Sequence, residues 1–153
     1  MSEAEDLCLR MKRELGFFHY LREEEVEQIG CYFQRREAEA GEVLWREGER
    51  CDYLCVIVAG HIEVKKETEF GRQVIVGLYG PGSIAGELCL FDGSPRAVTA
   101  VAVEPTTLVV LSREGLERLL EEHPRIGGRF LQGILVRVAR RLRRSFDRLA
   151  EVF

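Results

Sequence analysis

At 153 residues, with 46% hydrophobic and 31% charged residues, the chain has the make-up of one folded globule rather than a disordered segment. No apolar run approaches the ~20 residues of a membrane-spanning helix and no signal-peptide pattern opens the chain, so a cytoplasmic location is expected. The net charge of −4 conceals an asymmetry: residues 1–60 carry 8 basic and 14 acidic groups, residues 61–123 carry 6 and 10, and residues 124–153 carry 8 and 2.

Residues 2–14 are charged and weakly amphipathic, with Leu7, Leu9, Met11 and Leu15 apolar, and read as a helix ending at Gly16. Phe17, Phe18 and Tyr20 follow as anchors. From Arg22 to Phe33, Val26, Ile29 and Phe33 recur at helical spacing, which predicts a second helix with one face on a core. Its Glu23-Glu24-Glu25 run suits a helix N-terminal turn, where negative charge is favoured.

After Arg36 the period changes. Glycines 41, 48, 60, 71 and 80 punctuate short segments rich in β-branched and aromatic residues: Val43–Trp45, Tyr53–Ala59, Ile62–Lys66, Gln73–Leu78, Val98–Val103 and Thr107–Leu111. Such spacing indicates an all-β sandwich or barrel. Gly80–Thr99 interrupts the strands. Gly80-Pro81-Gly82 and Asp92-Gly93-Ser94-Pro95 are turn chemistry, and between them Glu87–Phe91 reads as a single helical turn, too short to stand without packing from Leu88, Leu90 and Phe91. Gly86 permits close backbone approach where that turn starts, and Arg96 follows a proline that stiffens its approach. A carboxylate and a guanidinium around unpaired backbone donors suit a small ligand with a phosphate and a hydroxyl.

Ser112 caps a helix through Glu122, and His123-Pro124 stops it. A long final helix is predicted from Ile126 to Val152, with Leu131, Leu135, Val138, Leu142, Ser145, Leu149 and Val152 forming a coiled-coil seam in which Ser145 is the one polar member. Arg137, Arg140, Arg141, Arg143, Arg144 and Arg148 spread around it as a solvated face or a surface for an acidic partner. The five cysteines give no disulfide framework and no Cys-x-x-Cys spacing, so buried or incidental thiols are expected. His19, His61 and His123 lie in unrelated elements, and no nucleophile is paired with a base, so neither a metal site nor catalysis is expected.

Gly86-Glu87-Leu88, a short gap, then Pro95-Arg96-Ala97-Val98-Thr99 resembles the phosphate-binding cassette of cyclic-nucleotide-binding domains. These occur in catabolite-activator-type regulators, cyclic-nucleotide-dependent kinases and gated channels. The match extends through Gly41–Leu44, Glu47-Gly48, Asp52–Leu54 and Gly60 to the C-terminal helix. The resemblance implies a mainly β fold with flanking helices: a jelly-roll barrel in a single domain, with a helical segment at 1–35, the barrel at 36–111 holding the cassette at 80–99, and helices at 112–153.

It further implies that Gly86, Glu87, Leu88, Arg96, Ala97 and Val98 surround the sugar-phosphate. Glu87 would accept from the ribose 2′-hydroxyl, and Arg96 would hold the cyclic phosphate with the Leu88 and Ala97 amides. Val64 and Val76 would cradle the base. Ser145 falls where catabolite-activator-type relatives use a hydroxyl of this helix to contact adenine, with Arg144 and Phe146 flanking it to cap the base by cation–π contact or stacking. Ala97 stands where kinase members preferring cyclic GMP have a threonine, so cyclic AMP is expected ahead of cyclic GMP. The seam would pair two chains as a homodimer or engage an effector protein. DNA binding in such relatives needs a helix-turn-helix domain after this helix, so none is expected of the chain alone. Three other readings stay open. One is a domain of this fold answering to a different small molecule, since Ala85 stands where many relatives have phenylalanine; another is a dimerising scaffold; the third is a truncated transcription regulator.

Overall fold

The structure, a computed structural model, describes residues 2–152. The Ser2 hydroxyl accepts from the Glu5 amide and the Glu5 carboxylate from the Ser2 amide, so a capping box opens α1 (Glu3–Leu15), which Gly16 closes in the left-handed region. The next helix, α2 (Glu23–Ile29), begins under its three glutamates but stops well short of Phe33. One 3-10 turn, Gly30–Tyr32, delivers the chain into β1 (Phe33–Ala38), so the expectation of helix to Phe33 is corrected and strand begins inside the segment 1–35. Phe33 keeps the apolar spacing of Val26 and Ile29 because all three reach one core. The residues after it alternate across a sheet instead.

β2 (Val43–Trp45), β3 (Tyr53–Ala59), β4 (Ile62–Glu67), β5 (Gln73–Tyr79), β6 (Ile84–Ala85), α3 (Glu87–Asp92), β7 (Thr99–Ala102), β8 (Thr106–Ser112), α4 (Arg113–Glu122) and α5 (Pro124–Val152) complete the order. The six strands expected from sequence appear to within one residue at either end; β1 and β6 are additional. All pairings are antiparallel, in two four-stranded sheets ordered β1-β8-β3-β6 and β2-β7-β4-β5. This is the jelly-roll with flanking helices that the sequence implied.

β3 shows why the layers sit as they do. Cys55 and Ile57 point between the sheets, against Trp45, Ile62, Val64 and Leu108. Leu54, Val56 and Val58 point outward into a second core with Val26, Phe33, Val109, Leu119 and Phe130. A strand covered on both faces needs apolar residues at every position, and Leu54–Val58 supplies them without a break. β5 is the opposite case, an edge strand whose Val74, Ile75, Val76 and Leu78 are exposed.

On the helical side Phe18, Phe33 and Phe130 stack with ring centroids 5.7–5.9 Å apart. Ile126, Phe130 and Ile134, four residues apart, bury one stripe of α5 against them. Beyond Ile134 the same stripe turns cationic, with Arg137 and Arg141 taking the next places. Of the expected seam, Leu131 and Val138 pack on the core, whereas Leu135, Leu142, Leu149 and Val152 are exposed, together with Phe146.

Candidate functional site

β6 aligns with Cys55 and Val56, and the turn before it is stitched to β3: the Gly82 amide donates to the Ile57 carbonyl (2.8 Å) and the Ile57 amide to Ser83 (2.9 Å). This brings Gly86, at φ +78°, to the start of α3. A Cβ there would lie 2.5 Å from Arg96 Nη1 and 3.0 Å from the Trp45 ring, so only glycine fits both the backbone and the space. Glu87, Cys89 and Leu90 are the buried members of α3. Leu88 and Phe91, expected to help pack it, point outward instead.

Arg96 is held by its backbone, which donates to Glu49 (2.8 Å) and accepts from Gly48 (2.8 Å). Its side chain runs inward and the residue is 3% exposed. Nη2 donates to the Tyr53 carbonyl (2.7 Å) and Nη1 to the Gly86 carbonyl (3.3 Å), while the guanidinium lies 3.9 Å above Trp45 and 4.8 Å from the Tyr53 ring. Among the described residues no carboxylate pairs with it, and Nε is buried without a hydrogen-bond partner. Burial pushes the Arg96 guanidinium down from its ordinary value, against opposing pulls from Tyr53, Cys55 and Asp52. A buried, uncompensated cation with a vacant donor is an anion receptor.

Glu87 is 1% exposed and does not pair with Arg96. Its Oε1 accepts from Arg141 Nη1 at 2.5 Å, and Arg141 Nη2 donates to the Ile84 carbonyl (2.8 Å) while its guanidinium stacks 4.6 Å over Tyr79. One turn earlier, Arg137 donates to the Gly82 (2.6 Å) and Gly16 (3.2 Å) carbonyls. The last helix is thus fastened to both ends of the Gly82–Glu87 stretch.

These groups surround a cavity of about 150 Å³. Gly86, Glu87, Leu88, Arg96, Ala97, Val98, Val64 and Val76, all singled out in the sequence, line it. Trp45, Tyr79 and Arg141 join them. Arg144 and Ser145 do not reach it: Arg144 lines a neighbouring cleft, and the Ser145 hydroxyl donates to the Arg141 carbonyl at 3.2 Å. Trp45 and Tyr79 stood within or just beyond an expected strand, and Arg141 is the charged member that sequence reasoning missed, merged with the other arginines of its helix. The one available signal was its position a turn before Ser145, on the same face.

The expectation of unpaired thiols is also corrected. Cys51 and Cys89, 5.9 Å apart at Cα, are joined by a disulfide that ties α3 to the loop entering β3. They are separated by 38 positions in sequence, and only the folding of α3 onto β3 brings them together. Cys8 and Cys55 are buried and free, as expected. Among the described residues, no group of three or more His, Cys, Asp or Glu side chains is placed to hold a metal ion.

Residues 35–123, which contain nearly all of both sheets and every cavity-lining residue except Arg141, match the family model of the cyclic nucleotide-binding domain. The chain belongs to the cyclic nucleotide-binding domain family. A cyclic nucleotide-binding domain from Methylobacillus flagellatus superposes with a TM-score of 0.87 at 32% identity, over 97% of this chain and 84% of that one. The catabolite activator protein of Thermus thermophilus follows at 0.74 and 32%, covering 87% of this chain and 62% of that one. Among curated proteins, the cyclic AMP receptor protein of Thermus thermophilus is 33% identical over 128 residues, which is 84% of this chain and 57% of the relative. A cAMP-dependent protein kinase regulatory subunit from Yarrowia lipolytica is 33% identical over 103 residues, 67% of this chain and 26% of that protein. This cyclic nucleotide-binding domain therefore spans little more than half the length of the Thermus regulator.

Proposed function

We propose that the chain is a regulatory module that binds cyclic AMP in the Glu87–Arg96 cavity and reports it through α5. The observation that carries this is Arg96, a buried cation with no carboxylate partner and a vacant Nε on a cavity that a sugar-phosphate would enter. The cyclic phosphate takes Arg96 and the Leu88 and Ala97 amides. Glu87, whose Oε2 makes no hydrogen bond among the described residues, accepts from the ribose hydroxyl, and Val64 and Val76 bound the base. Ala97 offers no side-chain donor to a guanine, which favours cyclic AMP over cyclic GMP. The receptor and kinase relatives, whose names carry cyclic AMP, point the same way.

A ribose hydroxyl arriving at Glu87 competes with Arg141 for the same carboxylate, and this coupling lets the ligand shift α5, with Arg144 and Ser145 closing over the base. The shift is limited to the ligand's differential affinity for the two helix positions. The exposed Leu135, Leu142, Phe146 and Leu149 then pair two chains or engage an effector. We assign the domain no catalysis and no DNA binding by itself. No helix among the described residues is long and apolar enough to cross a membrane. We place the domain in the cytoplasm, where buried disulfides are uncommon, so a thiol count directly checks the Cys51–Cys89 bond.

Calorimetric titration with cyclic AMP and cyclic GMP, on the unmodified chain and on Arg96→Leu, tests the reading. A charge-assisted hydrogen bond contributes about 1.5–3 kcal/mol, so Arg96→Leu should weaken cyclic AMP by roughly one to two decades. No heat with either nucleotide, or equal affinity in the variant, would defeat it.

A further inference from the structure

Beside the nucleotide cavity, across the wall formed by Tyr79 and Arg141, lies a second and larger concavity of about 330 Å³ between β5 and α5. Five arginines line its helical side: Arg137, Arg140, Arg141, Arg144 and Arg148. At 3.6 residues per turn, 137, 141, 144 and 148 share roughly 60° of arc, so they form one face rather than a spread. The exposed Leu142, Phe146 and Leu149 occupy the other flank of the helix. Val76, Leu78 and Tyr79 form the facing wall, and among the described residues no carboxylate lines the cleft.

Like charges three and four residues apart on a helix repel one another, and here nothing within the cleft offsets them. Arg141 reaches Glu87 on its far side, and Arg137 is spent on two backbone carbonyls. Arg140, Arg144 and Arg148 make no ion pair among the described residues, although the chain as a whole is acidic. Burial and the neighbouring charges of Arg140 and Arg141 push the Arg137 guanidinium down from its ordinary value. A single cyclic phosphodiester carries one negative charge, which Arg96 alone answers, so this surplus addresses a ligand of higher charge.

We propose that the β5–α5 cleft is a second ligand site, for a small molecule bearing two or more phosphate groups on an apolar or aromatic body. Guanidinium forks match phosphate oxygens two at a time, and the Val76–Leu78–Tyr79 wall receives the body. A concavity closed by a strand on one side and a helix on the other admits such a molecule, whereas an open basic surface would serve a nucleic-acid duplex. Because both sites share Arg141, filling the cleft bears on the helix that the nucleotide also engages.

The test uses the full chain with adenosine triphosphate and inorganic tripolyphosphate as probes, titrated calorimetrically with cyclic AMP absent or saturating. Expected are one molecule of the triphosphate per chain, retention of that binding in Arg96→Leu, and affinity above that of tripolyphosphate. Arg140→Ala combined with Arg148→Ala, two exposed positions outside the nucleotide cavity, should weaken it by about a hundredfold, roughly tenfold for each charge-assisted contact removed, with cyclic AMP affinity and thermal midpoint unchanged. Unaltered triphosphate affinity in that double variant overturns the proposal. So does binding abolished by Arg96→Leu or by saturating cyclic AMP, which would place the probe in the first cavity. A short DNA duplex bound as tightly, at several sites, would show a general polyanion surface and would also overturn it.

Discussion

Replacing Arg141 with methionine keeps an apolar stem over Tyr79 but removes the 2.5 Å contact to Glu87 and the donor to Ile84. What remains is a carboxylate with 2% side-chain exposure and no cation beside it. Removing one partner of a buried ion pair costs about 3–5 kcal/mol. The Arg141 side chain is 29% exposed, so water reaches one end of this pair and the effect is discounted to about 2–3 kcal/mol. With an unfolding entropy of about 2.1 cal/mol/K per residue, this corresponds to a fall of roughly 6–9 °C in thermal midpoint for a chain of this length. Adding Glu87→Gln should restore most of the loss, because two neutral groups no longer leave a charge unpaired. Circular dichroism melts of the four proteins in the cycle provide the measurement. A single-variant shift below about 2 °C, or a double variant no better than Arg141→Met, would refute the buried pair as the link between cassette and helix.

Thiol labelling of the native, unreduced protein should modify Cys31 alone, since burial pushes the Cys8 and Cys55 thiols up to about 12 and the disulfide protects Cys51 and Cys89. Denaturation should raise the count to three, and reduction to five; five without reductant would disprove the bond. Gly86→Ala forces a side chain into the left-handed region and against Arg96, so cyclic AMP affinity should drop by about tenfold and the melt by a few degrees, about 1–2 kcal/mol of strain. Unchanged titration and melting curves would show that the guanidinium seat is not shaped by this glycine. Phe146→Glu charges the centre of the exposed stripe of α5 and should turn any dimer seen by sedimentation into monomer, while leaving nucleotide binding in place. A dimer that persists would move the interface elsewhere.

The parts of the fold that were legible in the sequence are those where the local pattern and tertiary environment agree. β3 announces itself because burial on two faces demands an unbroken apolar run, and α4 because Ser112 and His123 bracket it. β1 was hidden because Phe33 continues a helical spacing whose α-helix ends four residues earlier in the backbone, with polar residues after it. β6 is two residues long, too short for any period to register. In the cavity, Glu87 and Arg96 stood out because turn residues isolate them. Arg141 did not, since six arginines in twelve positions look alike until the fold chooses one. The Cys51–Cys89 bond was invisible for the same reason: its proximity is made by tertiary packing alone.

Arg141 is the last point at which α5 is fastened to the body; from Leu142 to Val152 every residue except the half-buried Ser145 is exposed. That stretch is a cantilever of about 16 Å, at 1.5 Å per residue. With Glu87 as fulcrum, a tilt of about 10° carries the free tip some ~3 Å, from the same 1.5 Å rise. A displacement too small to disturb the barrel is thereby magnified into one that a neighbouring molecule can feel.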